Sequence, residues 1–447
     1  MSQPNFIVFL TDDQGYGDLS CMGATDFQTP HLDALAAAGA RFTDWYSNSP
    51  VCSPSRAALL TGRYPGNAGV RSILAGHRTA TGLPAEVPSI AKALKKQGYA
   101  TAMTGKWHLG LQKGSRPHEH GFDHWFGFMA GCIDYYSHIF YWDHSIDPLH
   151  DLWENNREVW LNGEYFTEVI TKKAIEWLRQ AAASNTPFFL YVPYNAPHYP
   201  MHAPKKYLDR FPGLAPDRRI MAAMISAVDD SVGAIMAEIE RLGAGNNPCT
   251  VFTSDNGPSR ETRNWLDGRT DPYYGGTAGI FKGHKFSLYE GGIRMPAIMN
   301  WPGRIPAGTI CGEMCASMDV FPTLLAAAGG EPADYELDGH DILSMIADGA
   351  ENPHEDILWE MNAQTAIRRY KWKLVLNGQL VEGSPPENEV HLADLTIDPG
   401  ERTNLKDVYP EITAELTKAA TTWRTGIEER WERHWQPGAA GSTTHKR

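Results

Sequence analysis

Hydrophobic residues along most of the chain form either short unbroken runs or longer stretches with helical spacing. Unbroken apolar runs cover residues 6–10 and 188–192, a weaker one covers 250–253, and a further strand is predicted near 99–103. Such runs are typical of strands in a parallel sheet, because helices bury both faces of each strand. The sequence therefore predicts a parallel sheet in the core of the protein.

Helical spacing occurs between these runs. Thr29 and Ser89 are suited to cap helices that end at the glycines near positions 39 and 98. Residues 219–242 place their apolar side chains on one stripe, which Gly243 ends. The alternation of strands and helices predicts an α/β fold, with a mostly parallel central sheet and helices on both faces.

The pattern changes after about residue 355. Short segments at 357–360, 370–376 and 390–392 have the character of antiparallel strands, and a helix is predicted near 409–431. The sequence therefore predicts a main α/β domain over 1–350, a smaller α+β subdomain with an antiparallel sheet over 351–436, and a flexible tail over 437–447.

The net charge and the first residues of the chain indicate which partners and which cellular location to expect. The 447-residue chain has a formal net charge of −13, which repels nucleic acid and anionic membranes, so neither is an expected partner. No apolar run approaches the roughly 18 residues of a membrane-spanning helix. Because residues 1–4 lead directly into the first strand without a basic segment or cleavage site, the protein as given is expected to be cytoplasmic, or periplasmic if a leader was removed.

Ionisable and amide side chains follow four of the predicted strands. In open α/β sheets, ligands bind at the carboxyl ends of the strands, where such side chains come together. Acidic residues at two of these ends and basic residues at the other two predict a metal ion held beside an anion. The side chains are, in chain order, Asp12 and Asp13, then Lys106 and His108, then His198, and finally Asp255 and Asn256.

The acidic ends carry only oxygen donors. Asp12, Asp13, Asp255 and Asn256 would supply carboxylate and amide oxygens, which favour Ca²⁺ or Mg²⁺ over zinc. Any one of these residues alone is more often part of an ordinary turn. Adjacent carboxylates at a strand end repel each other without a cation, so the four together favour one divalent ion.

A short motif precedes another predicted helix. Residues 52–63 read CSPSRAALLTGR, with Cys52, Pro54 and Arg56 at alternate positions. The motif resembles the signature of the type I sulfatases. Five further segments resemble the same family: DDQGYGD at 12–18, GKWHLG at 105–110, NAPHYP at 195–200, TSDNG at 253–257 and KFSLYEGGIRMP at 285–296.

The resemblance implies an alkaline phosphatase-like fold, a catalytic domain over 1–350 and hydrolysis of a sulfate monoester to alcohol and sulfate. It also implies that a formylglycine-generating enzyme acts on the 52–56 motif and oxidises Cys52 to formylglycine (3-oxoalanine). One hydroxyl of the formylglycine hydrate would attack sulfur, and loss of the proton from the other would then expel sulfate.

The resemblance also implies roles for single residues. Asp12, Asp13, Asp255, Asn256 and the modified Cys52 would bind one divalent ion, Ca²⁺ or alternatively Mg²⁺. Arg56 would support residue 52. Lys106, Lys285 and His198 would bind the sulfate oxygens, His198 or Lys285 would protonate the leaving group, and His108 would be the base that regenerates the aldehyde.

The substrate is expected to be a small-molecule or saccharide sulfate ester. Loops rich in aromatic residues, at 132–160 and around Tyr273 and Tyr274, suit stacking on a ring, although packing of a long connection explains them equally well. Tyr135, His138 and His202 are the predicted substrate-binding residues.

Two other functions fit parts of the sequence. One is a phosphate or phosphonate ester hydrolase of the same superfamily, although the intact 52–56 motif favours sulfate. The other is a non-catalytic protein that binds sulfated glycans, which predicts lost site residues; all the predicted positions are occupied by the expected residue types.

Overall fold

The computed structural model describes residues 3–142, 148–184, 186–243, 248–260 and 275–435. The strands are β1 (Phe6–Thr11), β2 (Ala40–Phe42), β3 (Trp45–Tyr46), β4 (Ala100–Lys106), β5 (His124–Phe128), β6 (Ile139–Phe140), β7 (Leu149–His150), β8 (Trp153–Glu154), β9 (Arg157–Glu158), β10 (Phe188–Pro193), β11 (Cys249–Ser254), β12 (Ala297–Asn300), β13 (Thr309–Cys311), β14 (Cys315–Ala316), β15 (Asp356–Met361), β16 (Gln364–Arg369), β17 (Trp372–Gly378) and β18 (Asn388–Asp394).

The α-helices connect these strands and cover their faces. They are α1 (Pro30–Ala37), α2 (Cys52–Thr61), α3 (Pro65–Ala68), α4 (Ile90–Lys96), α5 (Phe166–Ala183), α6 (Lys205–Leu208), α7 (Pro216–Arg241), α8 (Glu290–Ile293), α9 (Val320–Ala327), α10 (Leu343–Asp348) and α11 (Pro410–His434). Ser89 caps α4 as predicted, since its side chain accepts a hydrogen bond from the Lys92 amide.

The central sheet has ten strands in the order β13-β2-β12-β11-β1-β10-β4-β5-β8-β9. The five strands from β11 to β5 are parallel to one another, and antiparallel strands extend the sheet on both sides. Every residue of β1, β10 and β11 is buried, which explains their unbroken apolar runs. The predicted α/β fold with a mostly parallel sheet is confirmed, and the parallel strands end at one common edge.

Helices bury both faces of this sheet. One hydrophobic cluster includes residues of α2, α4 and α9, and a second includes residues of α1, α5 and α7. Among the described residues, α7 is long and apolar enough to cross a membrane, contrary to the expectation that no apolar run would be. Of its apolar window, 67% is buried inside the protein, which is typical of a core helix.

The last part of the chain forms a four-stranded antiparallel sheet, β15-β16-β17-β18, with α11 packed across it. Several buried contacts join this sheet to the rest of the protein, and two of them lie at its centre and its edge, facing α8 and the segment before α2. The Trp359 indole N–H donates to the Ser47 carbonyl at 2.8 Å, and buried Lys373 pairs with buried Glu290 at 2.8 Å. The predicted boundary between 350 and 351 falls in the connection before β15, and the predicted tail at 437–447 lies outside the described residues.

Candidate active site

Four oxygen-bearing side chains lie together at the carboxyl ends of β1 and β11. Thr11 of β1 pairs with Ser254 of β11, so the residues that follow the two strands are neighbours. The Asp13 amide donates to Asp255 Oδ1 at 3.2 Å, and the Asn256 side-chain amide donates to Asp13 Oδ1 at 2.7 Å. Asp12, Asp13, Asp255 and Asn256 are all buried. The structure therefore brings the predicted oxygen ligands together.

Cys52 is the first residue of α2, so the motif forms the start of the helix and does not precede it. The helix accommodates Pro54 in its first turn because N–H groups there have no intrahelical partner in any case. The Cys52 thiol lies 3.5 Å from Asp12 Oδ1 and is only 2% exposed. Burial is the main reason that the pKa of the Cys52 thiol lies well above its ordinary value.

Arg56 and Lys106 neutralise two of the carboxylates. The Arg56 guanidinium donates to Asp255 Oδ2 through Nε at 3.0 Å and Nη2 at 2.7 Å, and its Nη1 donates to the Lys106 carbonyl at 3.2 Å. The Lys106 ammonium pairs with Asp12 Oδ2 at 2.6 Å. Arg56 Nη2 lies 3.6 Å from Asp12, which contacts the Cys52 thiol. Arg56 is thus close to Cys52 mainly through the carboxylates that it binds.

Lys285 and His198 approach from the other side of the carboxylates. The Lys285 ammonium lies 3.0 Å from Asp13 Oδ2 and 3.4 Å from His198 Nε2. His198 Nδ1 donates to the Tyr199 carbonyl at 2.6 Å, and Nε2 accepts from Lys285 when the ring is neutral. The two predicted proton donors therefore lie in one hydrogen-bonded pair.

His108 lies near the same edge but makes a different set of contacts. Its Nε2 is 3.2 Å from the Leu74 carbonyl, and buried Nδ1 has no hydrogen-bond partner among the described residues. Gly131 packs so closely that an added Cβ would lie 2.8 Å from the His108 ring. Burial and then Lys106 hold the pKa of His108 well below its ordinary value, so the ring is neutral.

The side chains gathered here are suited to hold one metal ion. Ligand atoms of Asp12, Asp13, Cys52 and His198 lie within 4.8 Å of one another, and buried Asn256 Oδ1 has no hydrogen-bond partner among the described residues. Burial and then the Asp12 charge raise the pKa of Asp255 to about 6, which a bound cation would reverse. Although burial opposes ionisation of Asp13, Lys285 and then His198 lower its pKa to about 2.

Two of the predicted substrate-binding residues, Tyr135 and His138, contact loop backbone in this structure. Tyr135 is fully buried, and its hydroxyl lies within hydrogen-bond distance of the carbonyls of Asn195 (2.9 Å) and His198 (3.0 Å). His138 is also fully buried, 3.2 Å from the Glu164 carbonyl. Both residues therefore hold loops in place through contacts with backbone carbonyls. His202 is partly exposed and pairs with Asp134 at 3.1 Å; Tyr273 and Tyr274 lie outside the described residues.

Asp18 is a site-supporting residue to which the sequence assigned no role. Its buried carboxylate accepts from the Gly15 amide at 3.1 Å and the Thr277 amide at 3.0 Å, and it pairs with Arg218. A Cβ at Gly15 would lie 2.1 Å from the Thr277 carbonyl oxygen, so only glycine fits. Asp18 ties the 12–18 loop to the segment that leads to Lys285. The sequence feature that could have identified Asp18 as a supporting residue is its position in the DDQGYGD motif.

Comparison with known proteins agrees with this geometry. The family model described as Sulfatase matches residues 4–330, and the one described as N-sulphoglucosamine sulphohydrolase, C-terminal, matches residues 276–425. Arylsulfatase J of Mus musculus is 32% identical over 478 residues, which cover 96% of this chain and 77% of the relative. N-acetylgalactosamine-6-sulfatase of Mus musculus is 32% identical over 460 residues, which cover 93% and 85%.

A solved structure resembles the whole chain. The crystal structure of Ps i-CgsB in complex with k-i-k-neocarrahexaose has a TM-score of 0.84 and 29% sequence identity, and the match covers 98% of both chains. The fold and the site define an ester hydrolase of the alkaline phosphatase-like superfamily. Since the Sulfatase family model covers most of the chain, the protein belongs to the sulfatase family, as a type I sulfatase, and hydrolyses sulfate esters.

Proposed function

We propose that the protein cleaves a saccharide sulfate ester, using a formylglycine made from Cys52 and one divalent cation, Ca²⁺ in preference to Mg²⁺. The observation that carries this proposal is the position of Cys52 at the start of α2, 3.5 Å from Asp12 and enclosed by carboxylates and cations. The saccharide class is supported by the names of two similar proteins, an N-acetylgalactosamine-6-sulfatase and an enzyme crystallised with a neocarrahexaose.

Formylglycine at position 52 would supply, as its hydrate, the hydroxyl nucleophile. The enzyme that oxidises Cys52 must reach the 52–56 segment before folding is complete, because Cys52 is 2% exposed and Arg56 is fully buried in the folded protein. We therefore expect the formylglycine-generating enzyme to act on the unfolded or nascent chain.

Asp12, Asp13, Asp255 and Asn256 would hold the cation, and their oxygen donors suit Ca²⁺. A dication there would polarise a sulfuryl oxygen and offset charge on the reacting groups. Among the described residues, the charges at the site balance, so the dication would leave a local positive surplus that attracts an anionic sulfate ester despite the overall charge of −13. The balancing groups are the carboxylates of Asp12, Asp13 and Asp255 and the cationic groups of Arg56, Lys106 and Lys285.

In this proposal, three residues donate, orient or accept the protons of the reaction: Lys285, His198 and His108. Lys285 donates a hydrogen bond to His198 Nε2, so Lys285 is the proton source for the leaving oxygen and His198 orients it. His108 is neutral and keeps Nδ1 unpartnered among the described residues, so it accepts the proton released when sulfate departs. Lys106, next to Asp12, stabilises the negative sulfuryl oxygens.

The main rival is hydrolysis of phosphate or phosphonate esters at the same site. Related phosphatases use a second metal ion with additional histidine ligands. At this sheet edge, the described residues form one cluster of potential ligands, to which His198 is the only histidine contributor. A single oxygen-rich cation site therefore favours sulfate.

Comparing 4-nitrophenyl sulfate with 4-nitrophenyl phosphate tests the proposal. We expect kcat/KM for the sulfate to exceed that for the phosphate by at least about 100-fold, because the site provides for one cation only. Both assays use protein produced together with a formylglycine-generating enzyme and saturated with Ca²⁺. Equal or greater turnover of the phosphate would reject the sulfate assignment, and turnover of neither ester would reject the catalytic function itself.

A further inference from the structure

The edge that carries the active site continues beyond His108 to a second polar cluster. Gly105 of β4 pairs with Gly127 of β5, which pairs in turn with Trp153 of β8. Adjacent strands lie about 4.8 Å apart, so Trp153 is roughly 10 Å along the sheet from Gly105. Lys106 follows Gly105 directly. A molecule that extends from the sulfate site along this edge would therefore reach Trp153.

Two arginines contact the Trp153 indole. The Arg78 guanidinium carbon lies 5.3 Å from the ring centroid and that of Arg116 lies 5.8 Å from it, both within cation–π distance. Arg116 has no carboxylate partner within 4 Å in the described part of the chain, and its Nε donates to the Leu111 carbonyl at 2.9 Å. Its outer N–H groups are consequently available for an anion.

His150 and Trp160 complete what we call the Trp153 cluster: Arg78, Arg116, His150, Trp153 and Trp160. The rings of His150 and Trp160 stack with their centroids 3.6 Å apart and an interplanar angle of 7°. His150 is 8% exposed, and its buried Nε2 has no hydrogen-bond partner among the described residues. Trp160 is 63% exposed, an unusual state for so large an apolar side chain.

The pocket of this cluster is small, about 20 Å³, so a sugar would lie over its mouth, and it lies close to the catalytic groups along the backbone. It is lined by Gly76, which lies two residues after Leu74, and by Met129, which lies two residues before Gly131. Leu74 and Gly131 both contact His108. Two extended residues span at most about 7 Å, so the pocket begins close to the residues that enclose His108.

These groups match the chemistry of an acidic sugar. Guanidinium groups form strong paired hydrogen bonds with sulfate or carboxylate groups, and exposed indole rings stack on the apolar face of other rings. We propose that the Trp153 cluster binds a second anionic sugar residue of a sulfated oligosaccharide whose scissile sulfate occupies the active site. This inference rests on the proposed saccharide sulfatase function and specifies its substrate as an oligosaccharide with at least two anionic groups.

Among the described residues, the side chains of Asp151 and Glu158 contact side chains of the cluster, and of these two only Glu158 competes with a ligand. Asp151 is buried and already accepts from the amides of Met129 and Ala130 and from the Trp153 indole. Glu158 instead lies 3.2 Å from Arg78 and 3.0 Å from His150 Nδ1 at a partly exposed position. An anionic ligand must share Arg78 with Glu158, so neutralising Glu158 should strengthen binding.

The test measures inhibition of 4-nitrophenyl sulfate turnover by tetrasaccharides from carrageenan and chondroitin sulfate. We expect at least one sulfated tetrasaccharide to compete and its chemically desulfated form to compete at least tenfold more weakly. In Arg116→Ala, the inhibition constant of that tetrasaccharide should rise about tenfold, whereas Arg116→Lys should retain part of the affinity because it keeps the charge. In Glu158→Gln, the inhibition constant should fall.

Turnover of the aryl sulfate distinguishes failure of the proposed subsite from failure of the proposed sulfatase function. The aryl sulfate is too small to reach Trp153, so its kcat and KM should stay unchanged in Arg116→Ala and Glu158→Gln. The matched control is Arg304→Ala, which removes a partly exposed arginine paired with Asp348. It should change neither the inhibition constant of the tetrasaccharide nor kcat and KM for the aryl sulfate. Equal inhibition of wild type and Arg116→Ala, or no competition by any sulfated tetrasaccharide, overturns the subsite while aryl sulfate turnover still supports the sulfatase. Loss of aryl sulfate turnover in the wild type overturns the proposed function instead.

Discussion

Cys52→Ala is expected to lower kcat for 4-nitrophenyl sulfate by about 10⁴- to 10⁶-fold, the range seen when an enzyme loses its nucleophile. Alanine cannot be converted to formylglycine, so the nucleophile is lost. The fold should persist, because the one hydrogen bond of the thiol among the described residues is weak, 3.5 Å from Asp12. The measurement is steady-state turnover at saturating Ca²⁺, with circular dichroism to verify folding.

Cys21→Ala provides the matched control. Cys21 is another free cysteine, partly buried and outside the site, where the Cys21 amide donates to Asp33 at 2.9 Å. Its replacement should leave kcat within a factor of about two, since its side chain touches no group of the site. A Cys52→Ala protein that hydrolyses the sulfate at the wild-type rate would rule out the proposed role of Cys52.

Asp13→Asn should lower kcat/KM by at least about 100-fold and weaken cation binding, because a ligand carboxylate is replaced by a neutral group of similar size. The carboxylate also lies 3.0 Å from the Lys285 ammonium and accepts from Asn256. Its loss removes one negative partner from the buried Lys285 ammonium. Turnover and Ca²⁺ titration by calorimetry measure the two effects on the same protein.

Asp348→Asn is the control for this change. Asp348 forms an exposed ion pair with Arg304, and such pairs contribute little to stability. The variant should match the wild type in cation affinity and in turnover. If Asp13→Asn binds Ca²⁺ as tightly as the wild type and remains fully active, Asp13 does not hold the cation.

The sequence predicted the central sheet well because its strands are buried on both faces. Residues 6–10 and 188–192 became β1 and β10, and the 219–242 stripe became α7. The antiparallel additions could not be predicted in the same way. Strands such as β8 and β9 are only two residues long, too short to show a period of two.

The ligands at strand ends were predictable for a related reason. Parallel strands end at one edge, so Asp12 and Asp255 had to be neighbours once β1 and β11 paired. Side-chain direction within the long loops carried no such signal. Tyr135 was predicted to face the substrate, but its hydroxyl contacts two backbone carbonyls, because a buried phenol requires a hydrogen-bond partner.

The family resemblance predicted that Arg56 belongs to the site, but it did not predict which carboxylate Arg56 binds. Its spacing from Cys52 placed it near the site, but the carboxylate that it binds, Asp255, lies far along the chain. Such a pairing depends on the sheet order, which the local sequence does not encode. Similarly, the two arginines against Trp153 come from separate loops and became neighbours only in the folded structure.

The most direct test of formylglycine at position 52 is the mass of the peptide that contains this residue. The protein is produced in its native host, digested and analysed by mass spectrometry, alongside a turnover assay of the same preparation. We expect the cysteine side chain to be replaced by an aldehyde in the active protein, and the modified fraction to track specific activity across preparations. An unmodified cysteine at position 52 in fully active protein would contradict this expectation.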